Sequence, residues 1–198
     1  MKHADNIQNK DKILEKVLPE VAFDGWHWSL VQRIAQEEGM SADDLRALFP
    51  GKLKDVLAAF SDLADRKMLE TLQEVDPEDL RIRDRVSMAL MARFEWLAQH
   101  KEALRQSLQF WMVPTRKPCG VKILWRTADR IWDWAGDTAT DYNHYTKRGL
   151  LSGVIVSTTL AFLNDETETL DNTRAFLDRR IENVMQLGKI INKVKRAS

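Results

Sequence analysis

The chain is 198 residues long, 44% apolar and 30% charged, enough to bury a sizeable core and unlike a disordered or collagen-like sequence. Its 30 Lys and Arg balance its 30 Asp and Glu, which removes any whole-molecule electrostatic case for binding nucleic acid. A single cysteine, Cys119, excludes an intramolecular disulfide and any multi-cysteine zinc site.

Residues 1–16 mix Asp5, Asp11 and Glu15 with lysines and carry no apolar run. That pattern fits neither a secretory leader nor an acid-poor mitochondrial one. No apolar stretch approaches the ~18 residues of a membrane-spanning helix. The expectation is a cytoplasmic protein, at most peripheral to the inner membrane.

Helical periodicity runs nearly throughout. Ile13, Leu14, Val17 and Leu18 recur at 3.6-like spacing up to Phe23-Asp24-Gly25. A second helix is expected over Ser29–Glu38, with Gly39 as its stop, and a third over Ala42–Phe49, with Ser41 as its N-cap and Pro50-Gly51 closing it. The fourth spans about Leu53–Glu74. The fifth opens at Pro77, a tolerated first-turn proline, and reaches about His100. His100–Val113 reads as a sixth helix and Pro114–Gly120 as a loop. Val121–Ala135 is the seventh, with Gly136 as a C′ residue. The eighth starts between Thr138 and Tyr142 and ends near Asn164, and the ninth covers about Asp171–Lys195. No segment alternates with period two for long, so the fold class is all-α.

Three short helices with a glycine turn between the second and third have the layout of a helix-turn-helix. Phe23-Asp24-Gly25-Trp26, Ile34-Ala35-Gln36-Glu37-Glu38-Gly39-Met40-Ser41, Leu45 and Phe49 resemble the N-terminal module of TetR-type regulators. The resemblance implies a three-helix module over residues 1–51. About six further helices follow over 52–198, the last two forming a dimer interface. A recognition helix needs cations and base-reading side chains. Ser41-Ala42-Asp43-Asp44-Leu45-Arg46 offers two aspartates and one arginine, and Lys12–Lys54 holds six Lys and Arg against seven Asp and Glu. The module is therefore expected to be vestigial and not to bind nucleic acid. A ligand-responsive transcriptional regulator is the alternative reading.

Farther along, Ile123-Leu124-Trp125-Arg126-Thr127-Ala128-Asp129-Arg130-Ile131-Trp132, then Ala135-Gly136-Asp137-Thr138-Ala139-Thr140-Asp141-Tyr142-Asn143-His144-Tyr145-Thr146-Lys147-Arg148, then Phe176-Leu177-Asp178-Arg179-Arg180-Ile181, resemble a second family. It is the ubiquinone (coenzyme Q) biosynthesis accessory lipid-binding family, built on a TetR-like fold. The resemblance implies a non-enzymatic homodimer that binds an isoprenoid lipid or quinone intermediate. It also implies a partner, the membrane-associated di-iron demethoxyubiquinone hydroxylase. Family contact positions carry over to Asp129, Tyr145 and Arg148, with His144 where the family usually has tryptophan. Helix spacing places Asp141, His144, Tyr145, Arg148 and Ser152 on one face of the eighth helix, and Trp132 one turn from Asp129 on the helix before.

The expected lipid-binding residues are Met88, Met91, Phe94, Phe110, Trp111, Leu124, Leu151 and Ile155, apolar positions beyond what one core face needs. For the dimer, Gly149, Gly153 and Ser157 offer close approach, and Leu177, Ile181, Val184, Leu187, Ile191 and Val194 a heptad-like seam. From Arg174 to Ser198 there are seven Lys and Arg against two Asp and Glu, and the amphipathic Lys189–Arg196 stretch suits weak contact with anionic lipid. Asp137, Asp141 and His144 lie within two turns, but no Glu-x-x-His pairs match them on other helices, so no metal is expected. No phosphate-binding glycine loop or nucleophile motif occurs, so neither a cofactor nor catalysis is expected.

Overall fold

The computed structural model describes residues 2–138 and 142–197, with side chains excluded at 2, 3, 142 and 187–197. Among these residues the structure is helical, without strands: α1 (Lys2–Asp24), α2 (Trp28–Glu37), α3 (Ala42–Leu48), α4 (Leu53–Thr71), α5 (Ile82–Ala98), α6 (Lys101–Met112), α7 (Lys117–Trp134), α8 (Tyr142–Leu163) and α9 (Asp171–Ala197). They form two compact units, one of Met1–Lys67 with Trp96–Ile123, the other of Met68–Glu95 with Leu124–Ser198.

In the first unit α1 buries Ile13, Leu14, Val17, Leu18 and Val21, one continuous face at helical spacing. Pro19 sits on the exposed side of this helix. Gly25, at φ +77°, turns the chain, and Trp26 follows it inward. The Trp26 indole donates to Ala103 O at 2.9 Å, and its amide donates to Gln106 Oε1 at 3.1 Å, tying the turn between α1 and α2 to α6. Trp26, Phe60, Trp96 and His100 then follow one another at ring separations of 5.5, 6.0 and 4.7 Å. Burial lowers the His100 pKa, disfavouring a charged ring among these aromatics. Arg66 of α4 forks onto Asp11 of α1 and also bonds Asp62. Those bonds hold it charged against the cost of burial.

Both expected caps of the helix-turn-helix module are present. The Ser41 hydroxyl accepts from the Asp44 amide at 3.1 Å and donates to its carboxylate at 2.6 Å. Gly39, at φ +77°, closes α2 in a Schellman turn, with Met40 N donating to Ala35 O at 2.8 Å.

Two expected boundaries are corrected. The helix anticipated from Pro77 to His100 is interrupted. Pro77–Asp79 forms a single 3-10 turn capped by Asp76, Leu80 is extended, and α5 starts at Ile82. The loop anticipated over Pro114–Gly120 is shorter, because α7 begins at Lys117. Pro118 lies in a first turn that needs no amide from it, so proline here starts a helix and does not break one.

In the second unit Phe94 of α5 stacks on Phe162 of α8 at 4.9 Å, both fully buried. Arg85 donates to the terminal Ala135 carbonyl of α7 at 2.7 Å, setting a cation at that helix's negative end. α8 and α9 pack extensively, burying Leu151, Val154, Ile155, Leu177 and Ile181. Their connection is pinned by Asp165. Its buried carboxylate accepts from the amide and hydroxyl of both Thr167 and Thr173, and from Asn172 Nδ2. Burial works to raise this carboxyl's pKa, but the bonds from Thr167 and Thr173 outweigh it and hold the group far below the usual carboxylate range.

Candidate functional site on helices seven and eight

The site is organised by an arginine that the fold buries. α7 carries Asp129 and Asp133 one turn apart on one side. It ends at Gly136, φ +80°, in a second Schellman turn where Asp137 N donates to Trp132 O at 2.9 Å. That turn brings Asp137 into line with the other two carboxylates, facing the first turns of α8. Arg148, only 1% exposed, answers all three. It bonds Asp129 through Nε, Asp133 through Nη2 at 3.2 Å and Asp137 through Nη1 at 3.1 Å, and Nη1 also reaches His144 O at 3.4 Å. Burial pulls the guanidinium pKa down, and the bonds to Asp129 and Asp137 reverse that and raise it, so it stays charged. Lys147 adds a 2.5 Å bond to Asp137 and lies 5.4 Å over the Trp132 ring.

The latch fixes a mixed polar and aromatic surface. Tyr145 is 64% exposed, 6.2 Å from the Trp125 ring and 5.2 Å from the His144 ring. His144 and Asp129 are half-buried at its edge. Trp132 is half-buried, and its indole nitrogen has no hydrogen-bond acceptor among the described residues. Asp141 lies outside the described residues.

One expected role is corrected by burial. Arg148 does not present its guanidinium at the surface, because three aspartates enclose it. It positions the residues that are exposed. The sequence signal for Asp133 and Asp137 as its partners is the Asp129, Asp133, Asp137 spacing ahead of Lys147-Arg148. Asp137, close to Asp141 and His144 in sequence, has its carboxylate committed to Lys147 and Arg148. Among the described residues no group of three or more His, Cys, Asp and Glu is arranged to hold a metal ion.

Of the expected lipid-binding residues, Met88, Met91, Phe94, Leu124, Leu151 and Ile155 belong to the second unit, Phe110 and Trp111 to the first. Met91, Phe94, Leu151 and Ile155 are buried, and Met88 and Leu124 are half-buried. Of the residues expected to form a dimer seam, Leu177 and Ile181 are buried within the chain, and the side chains of Leu187, Ile191 and Val194 lie outside the described residues. The outward face of α8 carries Gly149, Gly153, Val156 and Leu160, the last 57% exposed. A Cβ on either glycine would meet nothing within 4 Å.

On α3, Arg46 bonds Asp43 at 3.0 Å, and Asp44 is occupied with the Ser41 cap. No helix among the described residues is long and apolar enough to cross a membrane.

Helix order and packing place the chain among proteins of TetR-like fold. It superposes with a TM-score of 0.70 on the crystal structure of the TetR transcriptional regulator from Nitrosomonas europaea, covering 88% of this chain and 97% of that one at 21% identity. At that identity the likeness establishes the fold alone. The sequence similarity is to COQ9: the COQ9 family model matches residues 118–188, the segment that builds α7, α8 and most of α9. The mitochondrial ubiquinone biosynthesis protein COQ9 of Rattus norvegicus is 26% identical over 95% of this chain, that of Xenopus tropicalis 27% over 94%, and that of Homo sapiens 25% over 95%. The chain spans about three-fifths of these relatives, 62% of the rat protein and 61% of the other two.

Proposed function

We propose that this chain is a non-enzymatic accessory protein of ubiquinone biosynthesis that binds an isoprenoid lipid or quinone intermediate and presents it to a di-iron demethoxyubiquinone hydroxylase. The observation that carries this reading is a coincidence. The residues matching the COQ9 family model are those that build the α7–α8 face, where a buried arginine holds exposed aromatic and polar groups in place. A surface pre-organised in this way loses little side-chain entropy on docking.

In this reading Tyr145, His144, Trp132, Asp129 and Asp141 meet the hydroxylase, and Arg148 is a positioning residue. His144, where the family resemblance implies tryptophan, makes a smaller contact and asks for a matching change on the partner. The isoprenoid tail is received by the second unit's interior, among Met88, Met91, Phe94, Leu124, Leu151 and Ile155. Methionine adapts its shape there without a polar penalty. Two chains pair about a twofold axis through the glycine-bearing face of α8. The basic Lys189–Arg196 stretch adds weak peripheral contact with the inner membrane.

The reading is tested by profiling quinone intermediates in a deletion strain. A demethoxy precursor accumulates and is cleared by the wild-type gene, and lipid extracted from the purified protein contains an isoprenoid. An unchanged profile together with lipid-free protein that takes none up overturns it.

A further inference from the structure

A second surface, on the first unit, has a chemistry that the quinone reading does not use. From Ala103 to Ile123 the sequence contains four cations, Arg105, Arg116, Lys117 and Lys122, and no Asp or Glu, in a chain whose net charge is zero. This stretch is the corner where α6 turns into α7. Arg105 is paired with Glu102. Arg116, Lys117 and Lys122 make no ion pair among the described residues. At the same corner stand exposed aliphatic side chains: Met112 is 69% exposed, Val121 60% and Val113 39%. Pro114, Thr115 and Pro118 are exposed between them.

The corner is rigidly built. Arg116 N and Lys117 N both donate to Val113 O, at 2.9 and 3.1 Å, so the turn is closed by its own backbone. Gly120 lets α7 approach α6 closely, since a Cβ there would sit 3.1 Å from Trp111 Cβ. Phe110 and Trp111 meet edge to face at 5.0 Å, and the Arg116 guanidinium stacks 3.9 Å over the Phe110 ring. Ordering this surface on a partner therefore costs little further conformational entropy.

We propose that this corner is a docking surface for an anionic phospholipid bilayer, with Met112, Val113 and Val121 entering the interface and Arg116, Lys117 and Lys122 meeting headgroup phosphates. Charge complementarity selects the partner. Cations that make no ion pair, in a stretch of sequence without acids, favour a polyanion, and the aliphatic side chains among them gain nothing from a nucleic-acid backbone but are favoured at an acyl boundary. The inference stands apart from the quinone reading, because vesicle binding is measured with no quinone and no hydroxylase present.

The test is flotation of the full chain with vesicles of phosphatidylcholine alone, and of phosphatidylcholine containing a quarter phosphatidylglycerol. Wild-type protein floats with the anionic vesicles and releases as salt rises. Lys117→Gln with Lys122→Gln lowers the partition coefficient about thirty-fold, two cations' worth near the surface. Met112→Ser with Val121→Ser lowers it about ten-fold at unchanged charge. All four positions are exposed, and circular dichroism confirms that the variants stay folded. Three outcomes overturn the proposal. One is equal flotation of the corner variants and the wild type. Another is binding abolished by neutralising Lys193, Lys195 and Arg196 but untouched by the corner variants. The third is retention on DNA, lost in the lysine variant, with no flotation on any vesicle.

Discussion

Replacing Arg148 with alanine leaves three carboxylates facing one ammonium. The cost follows from how unequally they are exposed. The Asp129 and Asp133 side chains are 42% and 63% exposed, so water screens them, whereas Asp137 is 4% exposed and retains its bond to Lys147. Removing one partner of a buried ion pair costs about 3–5 kcal/mol. With Lys147 retained the lower end applies, about 3 kcal/mol, a large share of a typical domain's stability. The assay is urea unfolding of Arg148→Ala and wild type near neutral pH and at about pH 5. In the variant, Asp137 is buried beside two like charges, which raises its folded pKa above the unfolded value of about 3.9. A raised folded pKa contributes stability at low pH that is lost as pH climbs through it, so the deficit relative to wild type shrinks on acidification. Arg148→Lys keeps the charge but not the fork, and recovers about half of the loss. A deficit under about 1 kcal/mol, the size of a surface pair, or one identical at both pH values, refutes the latch.

Asp165→Ala leaves the Thr173 amide and hydroxyl unpaired in the interior and costs about 3 kcal/mol in the same unfolding experiment. In wild type the depressed Asp165 pKa supplies stability above the unfolded carboxyl pKa that is lost as pH falls below about 4, and Asp165→Asn flattens that acid limb. Tyr145→Ala changes stability by less than about 0.5 kcal/mol, since the side chain is exposed, yet weakens capture of the hydroxylase by about ten-fold or more in surface plasmon resonance. Leu160→Glu on the outward face of α8 shifts the protein to monomer by sedimentation velocity without lowering its helicity. Wild-type protein shows no gel shift on random duplex DNA at moderate salt, because α3 offers no unpaired cation to the phosphates.

The order and type of the helices were legible because they depend on local signals. Apolar spacing marked the buried face of α1, the Ser41 cap opened α3, and Gly39 and Gly136 stopped α2 and α7 where only a left-handed residue completes the turn. The misread boundaries are cases where proline has two meanings. Pro118 begins a helix and Pro77 sits in a turn that ends before one, and the difference lies in where the neighbouring backbone bonds go. That His144 and Tyr145 share one face of α8 is legible from helix spacing, whereas Asp129 enters the expected site only through the family resemblance.

The destination of each charge and each apolar stripe was decided only in three dimensions. Arg148 and Tyr145 lie three residues apart on one helix, yet one is sealed and the other open, because α7 lays its aspartates across only one of them. Leu177 and Ile181 look as available for a partner as Leu160 does, until the α8–α9 packing spends the first two and leaves the third outside. Periodicity records that a helix has an apolar face. Which surface covers that face depends on helices brought together from distant points of the chain, and the free energy of that choice has no local signature.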